Sequence, residues 1–487
     1  MYLIHVKQNL VYISPVPAGL SDVLMYNKQL RKSVPEEDKE TGNVYYKTKY
    51  ITEKHKLYSL ISADTLVTFG GMLNRAQDFM KTHKLPCVVK GAHPLLPNPD
   101  FSVLSGVQLR DGQDKAIAAI ASYPRGLIVA PTGLGKTWLC GIISRIWHSA
   151  NILMVAGLKS VCEGLGRECL KHNDEDEVRF MFGKYLQQAK HRRKEDARVI
   201  ISSVASMSKI PPNWADLILF DEAHTAPAPV SMRALCANTK PKIFGLTASP
   251  EGRSDGADDM TIALFGQVVV DVSNEEGVAS GAIAPLRVLF VDGTMPDVEY
   301  DKDTEKEPLG YWRNDERSGR IIRKAQEVAT DEECVLYYTK VVEHALRIRK
   351  LFLPNVLIAH AGISRPKWNA FKEQGLVTDE DEATLMKPNV TDLEEKFRNG
   401  EIKRMICTTV WKQGTDFKDL LFLARLDGEG SPISATQVPG RATRVGSDGV
   451  ARTGTIIDCN DNFGPAFFRR YQRRRSTYKK KGWDIYG

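Results

Sequence analysis

The sequence lacks any uncharged apolar run of 18 residues, so no segment reads as a bilayer-spanning helix and no membrane partner is expected. Its eight cysteines (Cys87, Cys140, Cys162, Cys169, Cys236, Cys334, Cys407 and Cys459) contain no C-x-x-C pair, which argues against a zinc ribbon and against a disulfide framework. Buried, reduced thiols are the simpler expectation. The first stretch, Met1 to Val11, sets Lys7 among its apolar residues and lacks the ordered charged, apolar and small-residue regions of a signal peptide. The chain is therefore expected to stay in the cytoplasm in which it is made.

A strong overall charge is also missing: 487 residues carry only +7, with 42% hydrophobic and 26% charged residues, the balance of an ordinary globular protein. The length suits two or three compact units. The charge is unevenly placed. Residues 469–487 hold eight Lys or Arg against one Asp, residues 1–100 carry about +4, and the middle is left near −4. Basic ends around a mildly acidic middle suit accessory contacts to a polyanion, although a basic tail can also be merely solvated.

What is present centres on Ala130-Pro131-Thr132-Gly133-Leu134-Gly135-Lys136-Thr137, preceded by the apolar run Gly126–Ala130 and followed by an amphipathic stretch from Trp138 to Trp147. An apolar strand, a glycine-bearing turn and a helix form the phosphate-cradling loop of a nucleotide-binding α/β domain, here with Ala130 in the place of the usual first glycine. Gly133 and Gly135 let the backbone curl so that successive N–H groups point at phosphates, and the helix dipole adds positive potential. Lys136 would reach the β- and γ-phosphates of ATP, and Thr137 would hold Mg²⁺. Gln113, 23 residues before Lys136, has the amide to read an adenine edge.

Downstream, apolar runs at Asn151–Gly157, Val199–Ser203, Leu217–Phe220 and Lys242–Leu246 alternate with helical stretches, as in an open parallel sheet. The third run ends in Asp221-Glu222-Ala223-His224. Ligand groups project from the carboxyl ends of such strands, so Asp221 is placed to bind Mg²⁺ and Glu222 to polarise an attacking water. The fourth ends in Thr247-Ala248-Ser249-Pro250, hydroxyls that, with His224, are placed to couple the ATP site to a neighbouring surface.

Ahead of this core, residues 1–100 read as a small α+β domain. Met1–Ile13 reads as a strand and Thr65–His83 as a helix, with a linker at Pro94, Pro97 and Pro99. Between them Tyr45, Tyr46, Tyr50 and Tyr58 interleave with Lys47, Lys49, Lys54 and Lys56. Tyrosines stack on bases and lysines attract phosphates; the same pattern also describes a strand pair with one half-buried and one solvated face. Behind the core, residues 291–317 read as linker or insertion, and a second α/β lobe follows over 318–487, with a helix at Ser318–Thr330 and strands at Cys334–Thr339, Val356–Ala361 and Met405–Thr409. Later, Gln437-Val438-Pro439-Gly440-Arg441-Ala442-Thr443-Arg444 would set Arg441 and Arg444 on one helix face, in reach of a γ-phosphate. The tail, with Arg473, Arg474 and Arg475, can form a basic helix for phosphate neutralisation or pack on the second lobe.

In their order and spacing, Gln113, the 130–137 loop, Asp221-Glu222-Ala223-His224 and Thr247-Ala248-Ser249 resemble the first motor lobe of superfamily 2 helicases with a DEAH motif. The Q-x-x-G-R-x-x-R pattern, with Thr408, Gly414 and Asp416 before it, resembles the second. The resemblance implies two tandem RecA-like domains with parallel sheets, the first over 101–290. It implies Gln437, Gly414 and Asp416 at the nucleotide or lobe interface, Arg441 and Arg444 as arginine fingers, and Thr408 near a nucleic-acid backbone. Arg253, Asp255-Gly256, Leu264-Phe265-Gly266 and Gly281-Ala282-Ile283-Ala284-Pro285 are similar to the branch that remodels branched DNA, and the short basic N-terminal domain is similar to that of phage UvsW-type enzymes. Branched or forked duplex DNA is then the expected partner and ATP with Mg²⁺ the expected fuel, in a chain that nothing marks as part of a ring and that is expected to act as a monomer.

Overall fold

The protein is seen in a computed structural model that describes residues 1–7, 9–37, 44–188, 197–249, 256–294, 307–411, 417, 419–443, 446 and 450–487; for 31–37, 44–50, 92 and 443 it describes the backbone alone. The chain divides into two compact units, Met1–Ala130 with Lys136–Asp271, and Val272–Gly487 with Pro131–Gly135.

The first unit opens with β1 (Tyr2–Lys7) and β2 (Leu10–Ser14), a hairpin where a single strand was expected. Asn9 at its turn explains the reversal. Its N–H donates to the Thr239 carbonyl (2.8 Å), its carbonyl accepts from the Gly70 N–H (2.8 Å), and its amide donates to the carbonyls of Pro241 (2.7 Å) and Asn238 (3.3 Å). Arg125 donates to the amide oxygen of the same side chain. Two long strands follow, β3 (Met25–Glu37) and β4 (Val44–Lys56), which pair with each other as a separate ribbon. Then β5 (Tyr58–Ser62), β6 (Thr65–Phe69) and β7 (Cys87–Ala92) complete a sheet of order β5-β6-β2-β1-β7. The stretch expected to be helical from Thr65 thus begins as a strand, because Leu66 and Thr68 alternate inward; the helix runs only over Leu73–Thr82.

This sheet has its own strand order but not its own core. Ile4, Val11, Ile13, Leu66 and Met80 belong to one buried cluster with Phe220, Ile243 and Phe265 of the following lobe. Gly71 shows how close the joint is: a Cβ there would lie 2.1 Å from the Ile262 carbonyl oxygen.

That lobe is a seven-stranded sheet of β8 (Arg125–Val129), β9 (Ile152–Ala156), β10 (Val178–Met181), β11 (Val199–Ser203), β12 (Leu217–Asp221), β13 (Lys242–Thr247) and β14 (Val268–Asp271). All its pairings are parallel, in the order β10-β11-β9-β12-β13-β8-β14. Every residue of β9, β12 and β13 is buried, as the continuous apolar runs of a two-sided parallel sheet require.

The second unit repeats the plan with β15 (Leu286–Asp292), β16 (Cys334–Tyr338), β17 (Leu357–Ala359), β18 (Arg404–Cys407), β19 (Leu420–Arg425), β20 (Gly454–Asn460) and β21 (Asp484–Tyr486). The order is β17-β18-β16-β19-β20-β15-β21, again with parallel pairings. Sequence reading ends the first lobe at residue 290, yet β15 pairs between β20 and β21 in the second sheet. Its alternating burial, Leu286, Val288 and Phe290 inward, gives no hint from the sequence alone of which sheet receives it.

At the carboxyl ends of β19 and β20 lies a buried network of charge. Arg317 pairs with Asp461 (2.7 Å), Arg474 with Asp458 (2.9 Å) and Asp461 (2.8 Å), and Arg425 with Asp427 (2.9 Å). The Tyr478 hydroxyl accepts from Arg425 and donates to Asp458, both at 2.7 Å. Burial alone would push Asp458 up, but Arg474 and Arg425 outweigh it and hold the carboxyl below its usual range. Neutral as a set and closed by carbonyls of Leu426, Gly428 and Cys459, the network satisfies what it buries.

Two outcomes follow from this packing. Gly71→Ala should cost about 1–3 kcal/mol of stability, read as a lower melting temperature and faster proteolytic cleavage within residues 93–100. Arg474→Leu should cost about 3–5 kcal/mol by stranding Asp458 and Asp461, whereas Arg473→Ala should shift the melt by under about 0.5 kcal/mol.

Candidate nucleotide site

Three neighbouring strands of the first sheet, β8, β13 and β12, deliver the candidate residues to one edge. From β8 the chain passes through Ala130, whose N–H donates to the Thr247 carbonyl at the end of β13 (3.0 Å). The loop then turns through Gly133 (φ 104°) and Gly135 (φ 89°), the left-handed region in which a side chain is strained. The helix Lys136–Ile146 starts directly behind it. The Lys136 ammonium donates to the Ala130 carbonyl across the loop (2.9 Å).

At the end of β12, Asp221 is buried and accepts the Glu222 N–H (2.9 Å). Burial and the neighbouring Glu222 charge raise its carboxyl, Lys136 pulls it back, and the result is a pKa of about 7. Glu222 itself sits at φ 55°, ψ 52°, one of three non-glycine residues with positive φ among the described residues. A non-glycine residue there is held by its surroundings at a cost in strain, a condition concentrated at functional sites. His224 is buried behind it, with Nδ1 3.3 Å from a Glu222 carboxylate oxygen and 3.2 Å from the Thr247 hydroxyl. That hydroxyl donates to the Ser249 carbonyl and accepts the Ser249 N–H, both at 3.1 Å, with Ala248 buried between.

The arrangement fits a magnesium-bound nucleoside triphosphate. The loop glycines form the cradle, and a dry carboxylate that resists ionising when no cation faces it suits a hard divalent ion. Among the described residues no group of three or more His, Cys, Asp or Glu forms a metal site, so an ion held through Asp221 and Thr137 would draw its other ligands from water and phosphate oxygens. Gln113 begins the helix Gln113–Ser122, is buried, and its amide oxygen accepts the Arg110 N–H (3.0 Å), which fixes the amide's orientation.

In the second unit Gln437 closes the helix Pro432–Gln437 and is buried. Pro439, with no N–H to continue the α-helix, begins a 3₁₀ turn through Thr443 instead of the single helix expected over 437–444, and Arg441 is buried on that turn. Gly414, Asp416 and Arg444 lie outside the described residues, as do Pro250, Arg253 and Asp255 and the side chains of Tyr45, Tyr46, Lys47 and Lys49. Thr408 does not present a surface to a nucleic-acid backbone: it is buried, and both its N–H (3.0 Å) and its hydroxyl (3.4 Å) donate to the Ala359 carbonyl. Arg474 is likewise withdrawn, because the buried carboxylates of Asp458 and Asp461 hold it. On the same helix, Pro465–Lys480, Arg473 is exposed and Arg475 half-buried. Sequence reasoning missed these aspartates; their one signal is a position at the end of the apolar run 455–457.

Two parallel sheets, with a phosphate loop and an acidic strand end on the first, define a P-loop nucleoside triphosphatase with tandem RecA-like domains. The chain belongs to the superfamily 2 helicases, ATP-dependent enzymes: residues 106–252 match the family model "Type III restriction enzyme, res subunit" and residues 331–446 match "Helicase conserved C-terminal domain". It is 26% identical over 379 residues to the DNA 3'-5' translocase XPB2 of Sulfurisphaera tokodaii, covering 69% of this chain and 79% of that protein. With the DNA 3'-5' helicase XPB of Mycobacterium tuberculosis it shares 25% identity over 409 residues, 78% of this chain and 65% of the relative. In fold it is similar to the DNA-bound Type ISP restriction-modification enzyme LlaBIII, with a TM-score of 0.54 and 14% identity over 84% of this chain and 32% of the other. Among the described residues no helix is long and apolar enough to cross a membrane.

The raised carboxyl of Asp221 has a consequence for stability. Its folded pKa, about 7, lies above the unfolded value, so its contribution is fully present below about pH 4 and is lost as pH rises through 7. Asp221→Asn should therefore stabilise the nucleotide-free protein at pH 8, by on the order of 2–4 kcal/mol, and much less at pH 5, in paired thermal melts.

Proposed function

We propose that the protein is an ATP-driven DNA translocase and helicase that acts on branched or forked duplex DNA. The observation that carries this reading is the convergence of the phosphate loop, Asp221 and Thr247 on three adjacent strand ends, with His224 between Glu222 and Thr247. Residues Pro131–Gly135 and Lys136 bind the phosphates of ATP, Gln113 the adenine edge, and Thr137 with Asp221 the Mg²⁺. When bound, Mg²⁺ offsets charge on the β- and γ-phosphate oxygens. Glu222 orients water for attack on the γ-phosphorus while the bond to the bridging oxygen breaks, leaving ADP and phosphate. Arg441 and Arg444 supply positive charge to the γ-phosphate as the transition state forms, with Gln437, Gly414 and Asp416 contributing to the nucleotide site.

The path from chemistry to movement runs through His224. A change in charge at Glu222 is felt at His224, 3.3 Å away, and from there at Thr247 and Ser249. That gives the segment after β13 a reason to answer to nucleotide state, which is what a stepping motor needs. DNA as the partner is supported by the relatives above, a DNA translocase and a DNA helicase; branched DNA rests on the motif likeness of residues 249–285 and on the basic N-terminal region.

The test is ATP turnover without nucleic acid, with single-stranded DNA and with RNA, joined to strand release from fork, four-way-junction, tailed DNA and RNA duplexes. DNA should stimulate turnover at least about tenfold, and forks and junctions should be released fastest. Lys136→Ala and Glu222→Gln should each lower turnover by roughly 10²–10³-fold. No stimulation by DNA would overturn the helicase reading; equal or better activity on RNA would overturn the substrate.

A further inference from the structure

The ribbon β3–β4 plays no part in the ATP site, and nothing in the fold of the first unit requires its length. It holds 13 register pairs, from Met25 with Lys56 to Glu37 with Val44, in a two-stranded sheet of its own. At about 3.4 Å per residue it is roughly 40 Å long. Ribbons of two strands are marginal alone in water, and this one has charge against it. Its paired residues include seven Lys or Arg and three Glu, the whole +4 of residues 1–100. The register sets Lys32 opposite Lys49, with Arg31 opposite Tyr50 next to it and Pro35 opposite Tyr46 three pairs further on. Like charges directly opposed destabilise a strand pair unless a polyanion lies against them.

The root of the ribbon, by contrast, is fastened. Tyr26 is buried in the core shared with Ala257 and Met260. The Asn27 carbonyl oxygen lies 2.9 Å from where a Cβ on Gly256 would stand, and Gly256 has φ +70°. Arg75 donates to the Val23 carbonyl (3.4 Å) and pairs with Asp259 (2.5 Å). Residues 256–260 come shortly after Thr247-Ala248-Ser249, where the bonds leading from the acidic pair end.

We infer that the ribbon is a duplex-engaging arm, which lies in a groove of the DNA duplex that the motor acts on and is fixed at its root to the segment following the ATP site. A two-stranded β-ribbon is one of the elements that the major groove admits. The inference rests on the reading given under Proposed function and adds the element that would hold the duplex.

Replacing residues 31–50 by Asn-Gly leaves Leu30 and Ile51 joined by a two-residue turn and keeps the root. On a forked duplex, strands released per ATP hydrolysed should fall at least tenfold; a ratio within twofold of the full chain overturns the inference. Should the full chain show no DNA-stimulated turnover, the helicase reading fails, and with it the ground for this one. If the shortened chain does not fold, the double substitution Lys47→Ala with Lys49→Ala serves instead. It should lower the slope of log affinity against log salt by about two for duplex DNA and leave that for single strands unaltered. An unaltered duplex slope, or an equal loss on single strands, overturns the arm.

Discussion

A carboxylate kept dry at the end of a rigid strand is the constraint around which the first lobe is arranged. Asp221 cannot move away from its neighbours, because β12 is buried along its whole length and paired on both sides. Its charge is therefore disfavoured until a cation arrives, and Lys136 only partly offsets this. Glu222, immediately after the strand, takes a left-handed backbone conformation. Instability and strain thus sit side by side where a magnesium-bound triphosphate would relieve one of them.

The second lobe solves the opposite problem. Arg317, Arg425 and Arg474 are as deeply buried as Asp221, yet each has carboxylate and carbonyl partners within hydrogen-bonding distance. A closed set of this kind contributes little net stability over an apolar one, but removing one member strands the others. It ties the helices Asp315–Val328 and Pro465–Lys480 to the ends of β19 and β20. One charge pattern of the sequence divides in space: the tail arginines split by helical periodicity, with Arg474 turned into the core and Arg473 out of it.

Those two sites also show what could be read from sequence. The phosphate loop, Asp221 and Thr247 were legible because glycines, an apolar run and a terminal acid must occur together for local reasons. Strand positions at Val199–Ser203, Leu217 and Lys242 were legible for the same reason: fully buried parallel strands are unbroken apolar runs. Partnership at long range was not. Nothing local tells β15 to join the second sheet, Asn9 to seat against Thr239 and Pro241, or Asp461 to meet Arg317, since each depends on groups more than 140 positions away. The hairpin at Asn9 was not legible for a related reason, because burial of Val11 and Ile13 against the lobe overrode the local pattern, whereas the strand start at Thr65 follows the inward alternation of Leu66 and Thr68.

That burial changes what the N-terminal region can do. A domain on a loose linker would add affinity and little else, since its position would be averaged. Here Asn9 touches the segments leading into β13 and pairs with Arg125 at the start of β8, while the far ends of those strands carry Thr247 and the phosphate loop. Gly71 and Arg75 meet the helix Asp258–Phe265, which follows the same region. A packed interior has few soft modes, so a shift at Thr247 is passed to the bodies packed around it or is not made at all. The basic ribbon is rooted within that packed body through Tyr26 and Asn27, so a shift in the segment after Thr247 would be passed to the ribbon's root and not averaged away by a linker.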